Sequence, residues 1–191
     1  MAFRITTLPT SEPVSLSYVK NWLKQDEISA DDEIILSLMA SARERVEQLS
    51  GRAMMPQTIE EYYDKTPVCG YFELSRAPVA SITSIQYRDD NDGTYQTWNS
   101  TNYQSDLIDA PARIFLDTNG DWPDVGNYPN AWKITFEAGY TSAALVPATL
   151  KKAMAAQVCM DYCERQGYDI EHGKYLNSID AAIRQFRIKH V

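Results

Sequence analysis

The residues with most chemical potential in this 191-residue chain are few and scattered. Cys159 and Cys163 stand four apart, a spacing that lets one helix face present both sulfurs. A metal site would need two further ligands, and the only histidines, His172 and His190, have no ligand-like spacing. Free cysteine is among the most buried residue types, so packing is the favoured reading of the pair. Asp90-Asn91-Asp92-Gly93 faintly resembles a calcium loop. Registered on Gly93, that pattern puts Arg88 at the first ligand and Asn99 where a bidentate Glu belongs, so a solvated hairpin tip fits better. Asp117, Asn119, Asp121 and Asp124 form a second acid-rich loop that could hold a divalent cation, with an exposed turn the simpler reading. There is no G-x-S-x-G elbow, and two histidines near the C-terminus leave little choice of base for an activated nucleophile. No Gly-rich phosphate loop follows a strand. Tyr62, Tyr63, Tyr71, Tyr87, Tyr95 and Tyr103 could stack sugars or bases. Tyrosine is itself β-favouring, however, and the block that carries these six is acidic, so sheet packing is preferred. No catalytic residue, metal or cofactor is expected.

The elements that would position these residues fall into three stretches. A first helix is expected over Ser15–Lys24, with Leu16, Val19, Trp22 and Leu23 as its apolar stripe. A second follows Ser29 as a possible cap, with Asp31, Asp32 and Glu33 at the positive end of its dipole. Ile35, Leu38, Met39, Ala42, Val46 and Leu49 line one of its faces, Gly51 closes it, and Arg43, Glu44, Arg45 and Glu47 solvate the rest. After Pro56 the pattern changes to period two. Thr58–Tyr63, Tyr71–Leu74, Ile82–Tyr87, Tyr95–Trp98, Arg113–Leu116 and Ala131–Phe136 are candidate strands, with a hairpin turn at 89–93. No segment among them could be a crossover helix, so the sheet is expected to be antiparallel. Pro147 opens a third long helix carrying Leu150, Met154, Val158 and either Asp161 or Tyr162, ended by Gly167. A loop over Tyr168–Asn177 then leads to an amphipathic segment with Ile179, Ala182, Ile183 and Phe186 on one side and Arg184, Arg187 and Lys189 on the other.

The whole reads as α+β, a helical bundle core with an antiparallel β-sheet insertion between the second and third long helices. Residues 1–58 supply the helical pair, 59–145 the β-rich insertion, and 146–191 the helices that complete the core together with a tail. Apolar content of 44% and charged content of 23% are those of a globular chain. The formal net charge of −8 argues against a protein that clamps nucleic acid over its whole surface. Between Ala53 and Val146 five bases (Lys65, Arg76, Arg88, Arg113, Lys133) face thirteen acids, whereas from Pro147 onward bases outnumber acids. The two parts therefore prefer different neighbours. The basic last segment is either a solvated surface helix or a docking tail for an acidic partner. No signal-like apolar run opens the sequence, nothing approaches the roughly 20 apolar residues of a bilayer span, and three cysteines suggest a reducing compartment rather than a disulfide framework.

Several segments, taken in order, carry a family likeness. They are E-P-V-S-L-S-Y-V-K-N-W-L at Glu12–Leu23, D-D-E-I-I-L-S-L-M-A-S-A-R-E-R-V-E-Q-L-S-G-R at Asp31–Arg52 with its Pro56-Gln57-Thr58 exit, L-S-R-A-P-V-A-S-I-T-S-I-Q-Y at Leu74–Tyr87, P-A-R-I-F-L at Pro111–Leu116, F-E-A-G-Y at Phe136–Tyr140 and V-P-A-T-L-K-K-A at Val146–Ala153. In this order and spacing the chain resembles the head–tail connector, or adaptor, family of tailed bacteriophages and prophages, up to about Arg165. Residues 167–191 match in general character only. The resemblance implies a non-enzymatic virion part, assembled in the host cytoplasm and housed at the head–tail junction. Copies would form a ring, twelvefold in such assemblies, beneath the portal protein. The ring would extend a channel through which DNA passes without sequence-specific binding, and would offer a platform to the next neck or tail component. It also implies that the C-terminal segment meets the portal, which singles out Ile183, Arg184, Phe186, Arg187 and Lys189, and it implies no membrane. The alternatives are another neck part, such as a head-completion or tail-terminator protein, or a carbohydrate-binding or hydrolytic accessory protein built on the tyrosine-rich sheet.

Overall fold

The computed structural model describes residues 2–24, 29–167 and 172–189. The described residues are α+β, with four α-helices and two antiparallel sheets, and seven of their eight strands lie between the second and third helices. By compactness the chain divides into two units. A helical unit is drawn from residues 10–55 and 140–187, and a β unit from 2–9, 56–139 and 188–189 among the described residues.

The helical unit begins with α1 (Leu16–Leu23), capped where the Ser15 hydroxyl accepts the Tyr18 N–H at 3.1 Å. Val19 is fully buried, Leu16 and Leu23 pack at the core margin, and Trp22 is exposed. In α2 (Asp32–Ser50) the buried residues Ile35, Met39, Ala42 and Val46 recur at helical spacing, and Gly51 closes the helix at φ 74°. Asp31 rather than Ser29 occupies the N-cap. Its carboxylate makes no cap bond and instead accepts the Tyr162 hydroxyl at 2.6 Å. Arg43 and Glu47, expected on the solvated side, are buried. Arg43 Nη1 donates to Glu47 Oε2 at 3.1 Å and its Nε to Glu12 Oε2 at 3.0 Å, while Glu47 Oε1 accepts the Met54 N–H at 2.8 Å. The stretch before α1 and the one after α2 thus cover a face that periodicity alone leaves in water.

α3 (Ala148–Arg165) buries Leu150, Met154, Val158 and Tyr162. α4 spans His172–Arg184, so the loop expected over 168–177 is helical from His172 onward, and Tyr168–Glu171 lie outside the described residues. A glycine such as Gly173 costs a helix only about 1 kcal/mol, and buried Ile179 and Ile183 anchor the turns that follow it.

In the β unit the strands are β1 (Ala2–Thr7), β2 (Gln57–Tyr63), β3 (Tyr71–Glu73), β4 (Val79–Arg88), β5 (Tyr95–Thr97), β6 (Tyr103–Asp106), β7 (Arg113–Leu116) and β8 (Trp132–Ala138). One sheet has the order β1-β2-β8-β4-β5 and the other β3-β7-β6. β1 and β6 are additional to the strands read from sequence. A-F-R-I-T-T is exposed along nearly its whole length and Y-Q-S-D is polar, so neither shows an apolar alternation. The alternation is clear in β8, where Trp132, Ile134, Phe136 and Ala138 are buried. Aromatic rings fill the interior. Phe72 lies 5.1 Å from Trp132 and 4.9 Å from Tyr63, and Trp98 stacks on Trp122 at 5.0 Å.

Candidate functional site

The five residues expected to dock separate into two kinds. Ile183 is 0% exposed, one helical turn beyond Ile179, and belongs to the helical core. It therefore seats the segment rather than presenting it. Phe186 is partly buried against the same core, and its carbonyl accepts Arg52 Nε at 2.9 Å. Asp180 adds a bond to Arg45 Nη2 at 3.0 Å. Arg184, the last residue of α4, and Arg187 and Lys189 beyond it are exposed. Within the helical unit an anchored apolar side thus holds Arg184 and Arg187 in solvent, while Lys189 belongs to the β unit.

The residues weighed for chemistry are dispersed. Cys159 and Cys163 are free and half-buried on α3. Burial, with Cys163 adding to it, pushes the Cys159 thiol up to about 11, so it stays protonated at neutral pH. His190 and the side chain of His172 lie outside the described residues. At the β4–β5 turn the carboxylates serve the turn itself. Asp89 accepts the Asn91 N–H and Asp92 the Thr94 N–H, each at 2.8 Å, and the latter bond holds the Asp92 carboxyl below its usual range. Asp117 likewise accepts the Asn119 N–H at 3.2 Å. No group of three or more His, Cys, Asp or Glu that could hold a metal ion occurs among the described residues, and no described helix is long and apolar enough to cross a membrane. The tyrosines are engaged in packing and bonding. Tyr71 packs on Phe115, Tyr87 on Trp132 and Tyr103 on Trp98, and Tyr62 donates to Glu60 at 2.7 Å.

One titratable group escaped sequence reasoning. Glu61 is fully buried on β2, on the same side of the strand as buried Ile59. It accepts the Tyr63 hydroxyl at 3.0 Å and the Ser75 N–H at 3.0 Å. Burial raises its carboxyl to about 7, against these bonds, which favour the charged form. The Tyr63 hydroxyl also reaches the Glu73 carbonyl at 2.5 Å. The signal was available, since period-two alternation places position 61 on the apolar side of the strand. A single enclosed carboxyl, bonded to its own fold, ties β2 to the start of the β3–β4 connection and does not form an acid–base pair.

Comparison with known proteins reports on the fold. No protein-family model and no curated protein matches the sequence. Among solved structures, the chain is similar to one in the neck of an empty GTA particle computed with C6 symmetry, at 20% identity and a TM-score of 0.80, covering 100% of this chain and 97% of that one. It is similar over the same shares to a chain in the virion of a native gene transfer agent (GTA) particle, at 19% identity and TM-score 0.75. A chain in the neck of the native GTA particle computed with C12 symmetry follows at 19% identity and TM-score 0.71, again with 100% and 97% coverage. At these identities the shared property is the whole-chain fold, embracing helices and sheets alike.

Proposed function

We propose that this chain is a non-enzymatic structural part of the neck of a tailed phage or phage-like particle, a head–tail connector whose copies form a ring beneath the portal. The observation that carries this reading is the end-to-end fold likeness to chains from GTA necks, computed with sixfold and twelvefold symmetry. The connector-like order of segments from Glu12 to Ala153 supports it independently. The ring extends the DNA channel and gives the next neck or tail component its platform. A net charge of −8 per copy suits a conduit that phosphate backbones traverse without sticking. Arg184 and Arg187, held out by Ile183 and Phe186, meet the portal, and the exposed Lys189 shares that role. The test is negative-stain imaging over a concentration series, alone and with portal-bearing heads. Rings with a central hole are expected. A monomer at every concentration that also fails to join such heads refutes the proposal.

A further inference from the structure

The five-stranded sheet ends on two open edges. On one side β1 has β2 as its only strand partner among the described residues, and all of its residues except Ile5 are exposed. On the other side β5 pairs with Gln86–Arg88 only, and the Trp98 N–H takes the Ile85 carbonyl at 2.8 Å. Among the described residues, 79–84 of β4 therefore have β8 on one side and no strand on the other. Ala80, Ser81 and Thr83 are exposed there. Proteins that remain monomeric guard such edges with charge, proline or a covering element. The one charged residue of β1, Arg4, is turned onto Glu60 at 2.6 Å. Phe3 and Leu8 stand 44% and 67% exposed beside it.

The two edges fit one another. From β1 through β2 and β8 to β4 every pairing is antiparallel, so the fourth strand runs opposite to the first. A second copy placed beside the sheet by rotation about an axis along its strands presents its β1 antiparallel to β4, with no reversal needed. The lengths agree, six residues in β1 against the six of 79–84. Thr6 and Thr7 fall opposite Ala80 and its neighbours, where small and hydroxyl side chains pair well. Phe3 falls near Thr83, beside a groove of about 390 Å³ walled by Ser84, Trp98 and Tyr103. The register shifts of β4 between Val79 and Ser81 and between Ile82 and Ser84 are bulges that bend the strand, and a bend in each copy lets a laterally extended sheet curve.

We propose that copies of this chain join head to tail by strand addition, β1 of one subunit pairing antiparallel with residues 79–84 of β4 in the next. The contact joins two different surfaces, so it propagates and closes into a ring where the rotation allows. It rests on the reading of the chain as a ring-forming neck part and names the surface that makes the ring.

Disulfide trapping in the full chain tests it, in a Cys69→Ser background because Cys69 is exposed. Within one copy the two edge strands are three strand spacings apart, roughly 14 Å, too far for a disulfide, which needs Cα atoms within about 7 Å. The variant Thr6→Cys with Ala80→Cys should give an oxidised ladder that climbs past the dimer at high protein concentration. Ala2→Cys with Ala80→Cys, which only a parallel contact would join, should give none. Both variants are imaged alongside and checked for wild-type circular dichroism, with Ala2→Cys plus Ser84→Cys as a second antiparallel pair if one fails to fold. No ladder from the antiparallel pairs, a product that stops at the dimer, or an equal ladder from the parallel pair overturns the strand-addition contact. Rings in the images without a ladder discard that contact and leave the neck reading standing, whereas neither rings nor ladder counts against both.

Discussion

Replacing Glu61 with glutamine should stabilise the β unit, and by an amount that depends on pH. Burial raises the Glu61 carboxyl from an ordinary 4.5 to about 7. Each tenfold change in proton affinity is worth about 1.36 kcal/mol, so the fold disfavours the charged over the protonated form by about 3 kcal/mol. Because the folded value is the higher one, the stability linked to the protonated carboxyl is fully present below about 4.5 and is lost as pH rises through about 7. The amide of the Glu61→Gln variant cannot ionise; its oxygen keeps the Ser75 N–H, while its NH2 donates to the Tyr63 hydroxyl, which donates in turn to the Glu73 carbonyl. The variant should therefore gain little at pH 4.5 relative to wild type, and its advantage should grow to about 3 kcal/mol by about pH 8. Glu60, Asp92, Asp106 and Asp117 have lowered carboxyls, whose contributions are lost as pH falls. Both proteins share them, so they cancel in the difference. Urea unfolding followed by tryptophan fluorescence reports the right unit, since Trp98, Trp122 and Trp132 lie in it and only Trp22 lies elsewhere. A difference between variant and wild type that stays constant from pH 4.5 to 8 would refute the assignment of a neutral buried carboxyl.

Val46→Asp should unfold the helical unit, because an unpaired charge at a fully buried site costs about 3 kcal/mol or more. Leu38→Asp should cost much less, since Leu38 only borders the core; equal melting shifts would show that the two faces of α2 are misdrawn. Arg43→Met should cost roughly 3 kcal/mol by leaving Glu47 buried without its guanidinium, and a melt unchanged from wild type would mean the pair is dispensable. Reversing Arg184, Arg187 and Lys189 to Glu should leave circular dichroism intact and abolish co-sedimentation with portal-bearing heads. Undiminished co-sedimentation would remove these residues from the docking surface.

The first three helices were legible because their signal is local, whereas the opening turns of α4 read as loop. Ile35, Met39, Ala42 and Val46 state their own periodicity, and Gly51 marks the end. β8 was legible for the same reason. β1 was not, because an edge strand exposed along its length has no buried face to impress on its sequence. Burial of Arg43 and Glu47 was hidden as well, since their partners Glu12 and Met54 come from outside the helix. The C-terminal segment lies between these cases. Its stripe named Ile183 correctly as apolar, but periodicity cannot say whether an apolar side faces its own core or a partner. Packing turns Ile183 inward and leaves the cations outside.

That division gives the two proposed contacts opposite responses to salt. Docking through Arg184, Arg187 and Lys189 depends on attraction between charges in solvent, and such attraction weakens as ionic strength rises and the screening length falls from about 10 Å at 0.1 M to about 3 Å at 1 M. Strand addition between β1 and β4 depends on backbone hydrogen bonds and on Phe3, while the subunits it joins each carry −8 and repel one another. Screening relieves that repulsion, so the contact between copies should strengthen over the same range. Raising salt from about 0.1 to about 1 M should release the protein from portal-bearing heads while shifting the free protein toward larger species in sedimentation velocity. If both contacts dissolve together, ring closure and portal docking share one charged surface, and an apolar, backbone-mediated ring contact is the wrong description.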